Sequence, residues 1–131
     1  MKKVSVRTSD RTQMLDITSV VQQAVDESGV QNGMVTVFVP HTTAAVTINE
    51  NADPSVKRDI LYEINKVIPF DDHYHHLEGN AAAHIKSSLF GCSETILVEN
   101  GRLQLGTWQG IYFCEFDGPR HRQVWLQIMG Q

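Results

Sequence analysis

Cysteine is scarce in this 131-residue chain. Cys92 and Cys114 are the only two, too few and too far apart for a zinc ribbon or a disulfide framework. Long apolar runs are missing, and none approaches the length a membrane span requires. A basic excess is missing too. The 11 Lys and Arg stand against 15 Asp and Glu, and a net charge of −4 excludes a general nucleic-acid binder, which needs a positive field. A local basic patch that grips a small phosphate remains compatible with that balance. The segment Met1-Lys2-Lys3-Val4-Ser5 has two lysines but no apolar stretch behind them, so it does not read as a secretory signal. A reducing cytoplasm is the expected setting. No repeat, linker or low-complexity segment divides the chain, and residues 1–131 read as one domain.

What is there is ordinary globular material. A hydrophobic content of 41% against 20% charged is enough to build one core and argues against wholesale disorder. Residues 2–8 alternate as a half-buried strand. Asp16 is expected to cap a helix running to Ser28, where Ile17, Val20, Val21, Ala24 and Val25 recur at helical spacing before Gly29 stops it. Strands are expected at 33–39 and 45–49. Asp53-Pro54 opens a second helix with the stripe Val56, Ile60, Ile64, Val67 and Ile68. Residues 69–79 form a His-rich loop, and a short helix follows from Asn80 to Leu89. The last third reads as strands at 95–99 and 102–106 around the hairpin signal Asn100-Gly101, then 111–116 and 124–129. Cys114, inside Ile111-Tyr112-Phe113-Cys114, reads as a buried thiol. The expected class is α+β, a mainly antiparallel β-sandwich carrying two to three helices.

Polar chemistry gathers in five patches. Pro40-His41-Thr42-Thr43-Ala44 sits between two strands, and His41 reads as a ligand or base, or as part of a hydroxyl-satisfied turn. In Asn49-Glu50-Asn51-Ala52-Asp53, Asp53 serves as a cap. Capping does not call for Glu50, which suits metal binding, histidine orientation or proton transfer. Four of the six histidines fall between His73 and His84, a density that suits a metal as well as a solvated loop. There Glu78-Gly79-Asn80 opens a helix whose free N–H groups favour an anion, with Lys86, Ser87 and Ser88 as further donors. Lys86 reads equally as an exposed helix lysine. Leu105-Gly106-Thr107-Trp108-Gln109-Gly110 lets the backbone pass close to something, with Trp108 either a pocket wall, a subunit contact or a buried bend. Finally, Glu115-Phe116-Asp117-Gly118-Pro119-Arg120-His121-Arg122 turns on Gly-Pro. Arg120 and Arg122 offer forked donors for phosphate or carboxylate, or pair with Glu115 and Asp117.

Taken in order, His-Thr-Thr-Ala, Asn-Glu-Asn-Ala-Asp-Pro, His-Leu-Glu-Gly-Asn with His84-Ile85-Lys86, Gly101-Arg102-Leu103, Leu105 to Gly110 and Asp117-Gly118-Pro119-Arg120 resemble the YjbQ-like family, also called secondary thiamine-phosphate synthase. The resemblance runs from about Asp16 to Gly130. It implies a β-sandwich-based α+β fold, a homotrimer with pockets near the subunit contacts, and a pocket for a metal, phosphate or sulfate. Carried over by motif, His41, His76 and His84 become the metal or catalytic histidines. His75 is the alternative to His76, because relatives differ in where the loop histidine stands. Glu50, Asn49, Asp117 and Arg120 become pocket residues, with Glu50, His41 and Arg120 the catalytic set. Glu78, Gly79, Asn80, Lys86, Ser87, Trp108 and Gln109 complete the expected ligand contacts, and a divalent metal, zinc or magnesium, is the expected cofactor.

The activity the resemblance implies joins a pyrimidine methyl diphosphate to a thiazole phosphate and releases pyrophosphate. That chemistry needs donors and cations on the leaving group, which a divalent metal on the histidines and Glu50, with Arg120 and Lys86, would supply, and a flat wall for the pyrimidine, which Trp108 would supply. Two other functions fit the same residues: metal-dependent hydrolysis of a phosphate ester, and a non-enzymatic trimer that binds a small anionic metabolite. Neither nucleic acid nor membrane is an expected partner.

Overall fold

A computed structural model describes residues 1–131. The elements run β1 (Lys2–Arg7), β2 (Gln13–Asp16), α1 (Thr18–Ser28), β3 (Gly33–Phe38), β4 (Ala44–Glu50), α2 (Pro54–Val67), α3 (Ala81–Phe90), β5 (Ser93–Glu99), β6 (Arg102–Leu103), β7 (Gln109–Glu115) and β8 (His121–Gly130). The strands form a five-stranded sheet, β1-β8-β3-β5-β6, and a three-stranded sheet, β2-β7-β4. Every pairing is antiparallel, so the class is α+β, as its alternating strands and capped helices imply.

The two sheets share a core with α1. Val35, Val37, Val124 and Leu126 from the larger sheet meet Val46, Ile111 and Phe113 from the smaller one, alongside Val21 and Val25. The smaller sheet also packs on its other face: Met14, Ala45, Tyr112 and Cys114 join Ala83 of α3, with Ile60 and Leu61 of α2 against them. Burial on both faces explains why β7 is a continuous apolar run rather than an alternating one. It also confirms Cys114 as a buried thiol, which desolvation pushes up to about 12. No helix is long and apolar enough to cross a membrane.

Several boundaries differ from the sequence-based expectation, each for a tertiary reason. The helix expected from Asp16 begins at Thr18, because Asp16 ends β2 and pairs with Tyr112. Its carboxylate still serves the helix, accepting from the Thr18 N–H at 2.9 Å and the Thr18 hydroxyl at 2.6 Å. β2 itself was not expected: it is four residues long with only Met14 fully buried, too short to show a period. β6 stops at Leu103 rather than Gly106, since Gln104 folds back to bond the carbonyls of Glu99 and Arg102. β8 starts at His121 rather than Val124. Arg122 takes an inward position in register with Val124 and Leu126, and a buried arginine hides a strand from a hydrophobic pattern.

Candidate functional site

His41 stands in the link between β3 and β4. β3 pairs with β8 only as far as Phe38 opposite Trp125, so the Gln123 N–H beyond it lacks a strand partner on that side. His41 Nε2 accepts that N–H at 2.9 Å. Accepting requires a lone pair on Nε2, so the neutral ring carries its proton on Nδ1. Partial burial and the Arg122 charge, with a smaller contribution from Arg120, lower the His41 pKa and outweigh the opposing pull of Glu115.

Facing His41 is one side of α3. Asn80, His84 and Ser87 are four and three residues apart, which stacks them on a single helix face. His41, Thr42, His84, Ser87 and Cys92 line a pocket of about 380 Å³. An adjoining hollow of about 580 Å³ shares His41, Thr42 and Cys92 and reaches Arg120. Ser87 is 8% exposed, and its hydroxyl has no hydrogen-bond partner; the Asn80 Oδ1 is equally buried and unpartnered. Buried polar atoms are nearly always satisfied, so the Ser87 hydroxyl on the pocket wall is a group open to a ligand or a water.

The rim is built on a buried ion pair. Glu115 is fully buried and Arg122 nearly so, and the guanidinium grips both carboxylate oxygens. Burial pushes the Glu115 carboxyl up, but the bonds from Arg122, the Asp117 N–H and Thr8 outweigh it and hold its pKa below the ordinary value. Arg122 is therefore not a free donor. That pair anchors the turn carrying Asp117 and Arg120, where a Cβ on Gly118 would lie 2.3 Å from the Asp10 carbonyl oxygen. Asp117 Oδ2 accepts from Asn80 Nδ2 at 2.9 Å and pairs with Arg120 at 3.0 Å. Asn80 thus bonds the turn rather than capping α3.

His76 is the loop histidine packed on His84, edge to face with ring centroids 5.3 Å apart. Its Nε2 lies 3.8 Å from Glu78 Oε2, and Glu78 and Gly79 are exposed. No three His, Cys, Asp or Glu side chains of the chain are gathered as a metal centre. A divalent ion on His76 and His84 would need a further donor from beyond that pair, because His41 Nε2 is taken by Gln123.

Other expected residues lie elsewhere. Lys86 is neither an exposed helix lysine nor part of the pocket lining. It is fully buried, bonds Asn65 Oδ1 at 2.7 Å, and sits 3.8 Å from the Phe70 ring centroid. Desolvation, with a smaller push from Arg11, lowers its pKa to about 8. Asn49, Glu50, Trp108 and Gln109 cluster at the far end of β4, where Glu50 pairs with Gln109 and Asn49 with Gly110. The seven-residue strand separates them from His41 by about 20 Å. Trp108 is 62% exposed, and the close backbone approach implied by its flanking glycines is to Asn51, whose Nδ2 would lie 2.4 Å from a Cβ on Gly110. The sequence reading missed Cys92 as a lining residue, since nothing around it beyond the helix stop Gly91 signals a pocket.

Fold and site together define an antiparallel two-sheet α+β protein with a polar, histidine-lined pocket beside its third helix. The chain belongs to the UPF0047 YjbQ-like family, whose model matches residues 2–131. It is 52% identical over 128 residues to a UPF0047 protein of Methanocaldococcus jannaschii, covering 98% of this chain and 93% of that one. With the YugU protein of Bacillus subtilis it shares 51% over 131 residues, 99% of each. The fold superposes at a TM-score of 0.97 on the crystal structure of an uncharacterized YjbQ/UPF0047 protein from Clostridium acetobutylicum, 59% identical, covering 98% of this chain and all of that one. A relative from Sulfolobus solfataricus, described as of unknown function, superposes at 0.94 with 34% identity, covering 99% and 96%.

Proposed function

We propose that the pocket between His41 and α3 binds the phosphate or diphosphate of a small molecule, and that the protein uses it to release pyrophosphate. The specific reaction is of the thiamine-phosphate synthase type. The thiazole nitrogen of a thiazole phosphate attacks the methylene carbon of a pyrimidine methyl diphosphate. A C–N bond forms as the C–O bond breaks, and its electron pair leaves on the diphosphate oxygen. The observation that carries this reading is the Ser87 hydroxyl, buried and unpartnered on the pocket wall.

The groups around it are mostly donors. The His41 Nδ1–H, the Thr42 hydroxyl and, on the adjoining rim, Arg120 suit a leaving group that gains negative charge, whereas the Ser88 hydroxyl donates to the His84 carbonyl at 2.9 Å. Asp117, the nearby carboxylate, is already held by Asn80 and Arg120. A divalent ion on His76 and His84 belongs to the proposal, with zinc favoured over magnesium by imidazole ligands; it would add positive charge at the diphosphate. So does a homotrimer, because Glu50 and Asn49 could join His41 only from a second copy. The proposed setting is the cytoplasm.

The test is pyrophosphate release by untagged protein given both substrates, with metal content measured alongside. The proposal expects turnover that falls at least about a hundredfold in His84→Ala and in Arg120→Ala while both stay folded. Absence of pyrophosphate and of coupled product would overturn it, and free phosphate from simple esters would point to hydrolysis.

A further inference from the structure

At the opposite end of β4 from His41, a cleft of about 660 Å³ opens between the first turn of α1 and the β5–β6 hairpin. Leu103 and Leu105 form its apolar part, and Asp16, Ser19, Gln22 and Arg102 its polar rim. The volume suits a small molecule.

The rim's polar groups differ in whether they are already used. Asp16 accepts from the Thr18 N–H, the Thr18 hydroxyl and, at 3.1 Å, Asn51 Nδ2. Gln22 gives its amide hydrogens to Asp26 at 2.8 Å and the Gly101 carbonyl at 2.9 Å, and accepts the Leu103 N–H at 3.1 Å. The Gln22 bonds hold the hairpin against α1, and those of Asp16 tie it to Thr18 and Asn51. Arg102 is different: its guanidinium makes neither an ion pair nor a hydrogen bond, although the Asp16 carboxylate lines the same cleft. The hydroxyl and N–H of Ser19 are also unpartnered. The uncommitted Arg102 guanidinium and Ser19 hydroxyl are hydrogen-bond donors, and they sit beside two leucines.

We propose that this cleft binds a small organic anion, with its charged group on Arg102 and Ser19 and a short apolar body on Leu103 and Leu105. A forked guanidinium beside hydroxyl and N–H donors recognises phosphate monoesters and carboxylates alike. The site is distinct within one chain from the His41 pocket, about 20 Å away along β4. It does not depend on the proposed transfer reaction.

The test is an amide-resolved NMR titration of the protein with phenyl phosphate, benzoate, inorganic phosphate and phenol. Phenyl phosphate or benzoate is expected to shift Ser19, Gln22, Leu103 and Leu105, and to bind more tightly than inorganic phosphate or phenol. Arg102→Gln should weaken that binding about tenfold, as loss of a charge-assisted bond implies, while His84→Ala leaves it unchanged. Unaltered affinity in Arg102→Gln, or shifts gathered on α3 and His41 instead, would overturn the assignment.

Discussion

His41 is held neutral by the fold, and that has a consequence for stability. Its pKa is lowered from 6.5 by burial and by Arg122, so between the lowered value and 6.5 the unfolded chain binds more protons than the folded one. Stability therefore rises with pH across that window, and acidification from pH 7 removes it until the pH passes below the folded value. His41→Gln should flatten the change in urea midpoint between pH 7 and pH 5; an identical slope in variant and wild type would contradict the assigned environment. Residue identities such as His41, His84 and Ser87 were legible in the sequence because their chemistry is carried by type. Their environments were not. Lys86 reads as a donor or as solvated surface, yet it is closed in by Asn65 and Phe70, contacts fixed by how α2 and α3 pack.

At the scale of elements, the clearest dependence is that of the 117–120 turn on β7 and β8. Arg122 of β8 and Glu115 of β7 form the buried pair beneath it, joined by Thr8 and Thr43. Removing one partner leaves an uncompensated buried charge, so Arg122→Met should cost about 3–5 kcal/mol in urea unfolding at pH 7. Arg122→Met combined with Glu115→Leu should recover part of that loss; equal destabilisation in the single and double variants would show that the pair is not what the turn rests on. Elements specified by local chemistry were legible. α2 begins where Asp53-Pro54 says it should, with Asp53 accepting the Ser55 N–H at 2.9 Å. β2 was not, because its partner β7 lies about a hundred residues on and its own four residues carry no pattern.

For the whole molecule, the antiparallel pairing of β4 with β7 decides which motifs meet. It sets Ala44 against Glu115 at one end and Glu50 against Gln109 at the other. His41, His84 and Arg120 consequently gather near one end, and Asn49, Glu50, Trp108 and Gln109 at the other. The sequence showed six motifs in order, but order along a chain does not reveal which end of a sheet each one occupies. The expected single site is thus divided within one chain, and the unpartnered hydroxyl belongs to the His41 end. The central claim is that this hydroxyl serves a bound anion. Calorimetric titration of inorganic pyrophosphate into wild type and Ser87→Ala tests it most directly. Binding to the wild type that weakens about tenfold in a fully folded Ser87→Ala is the predicted result. Equal affinity in the two proteins, or none in either, would contradict it.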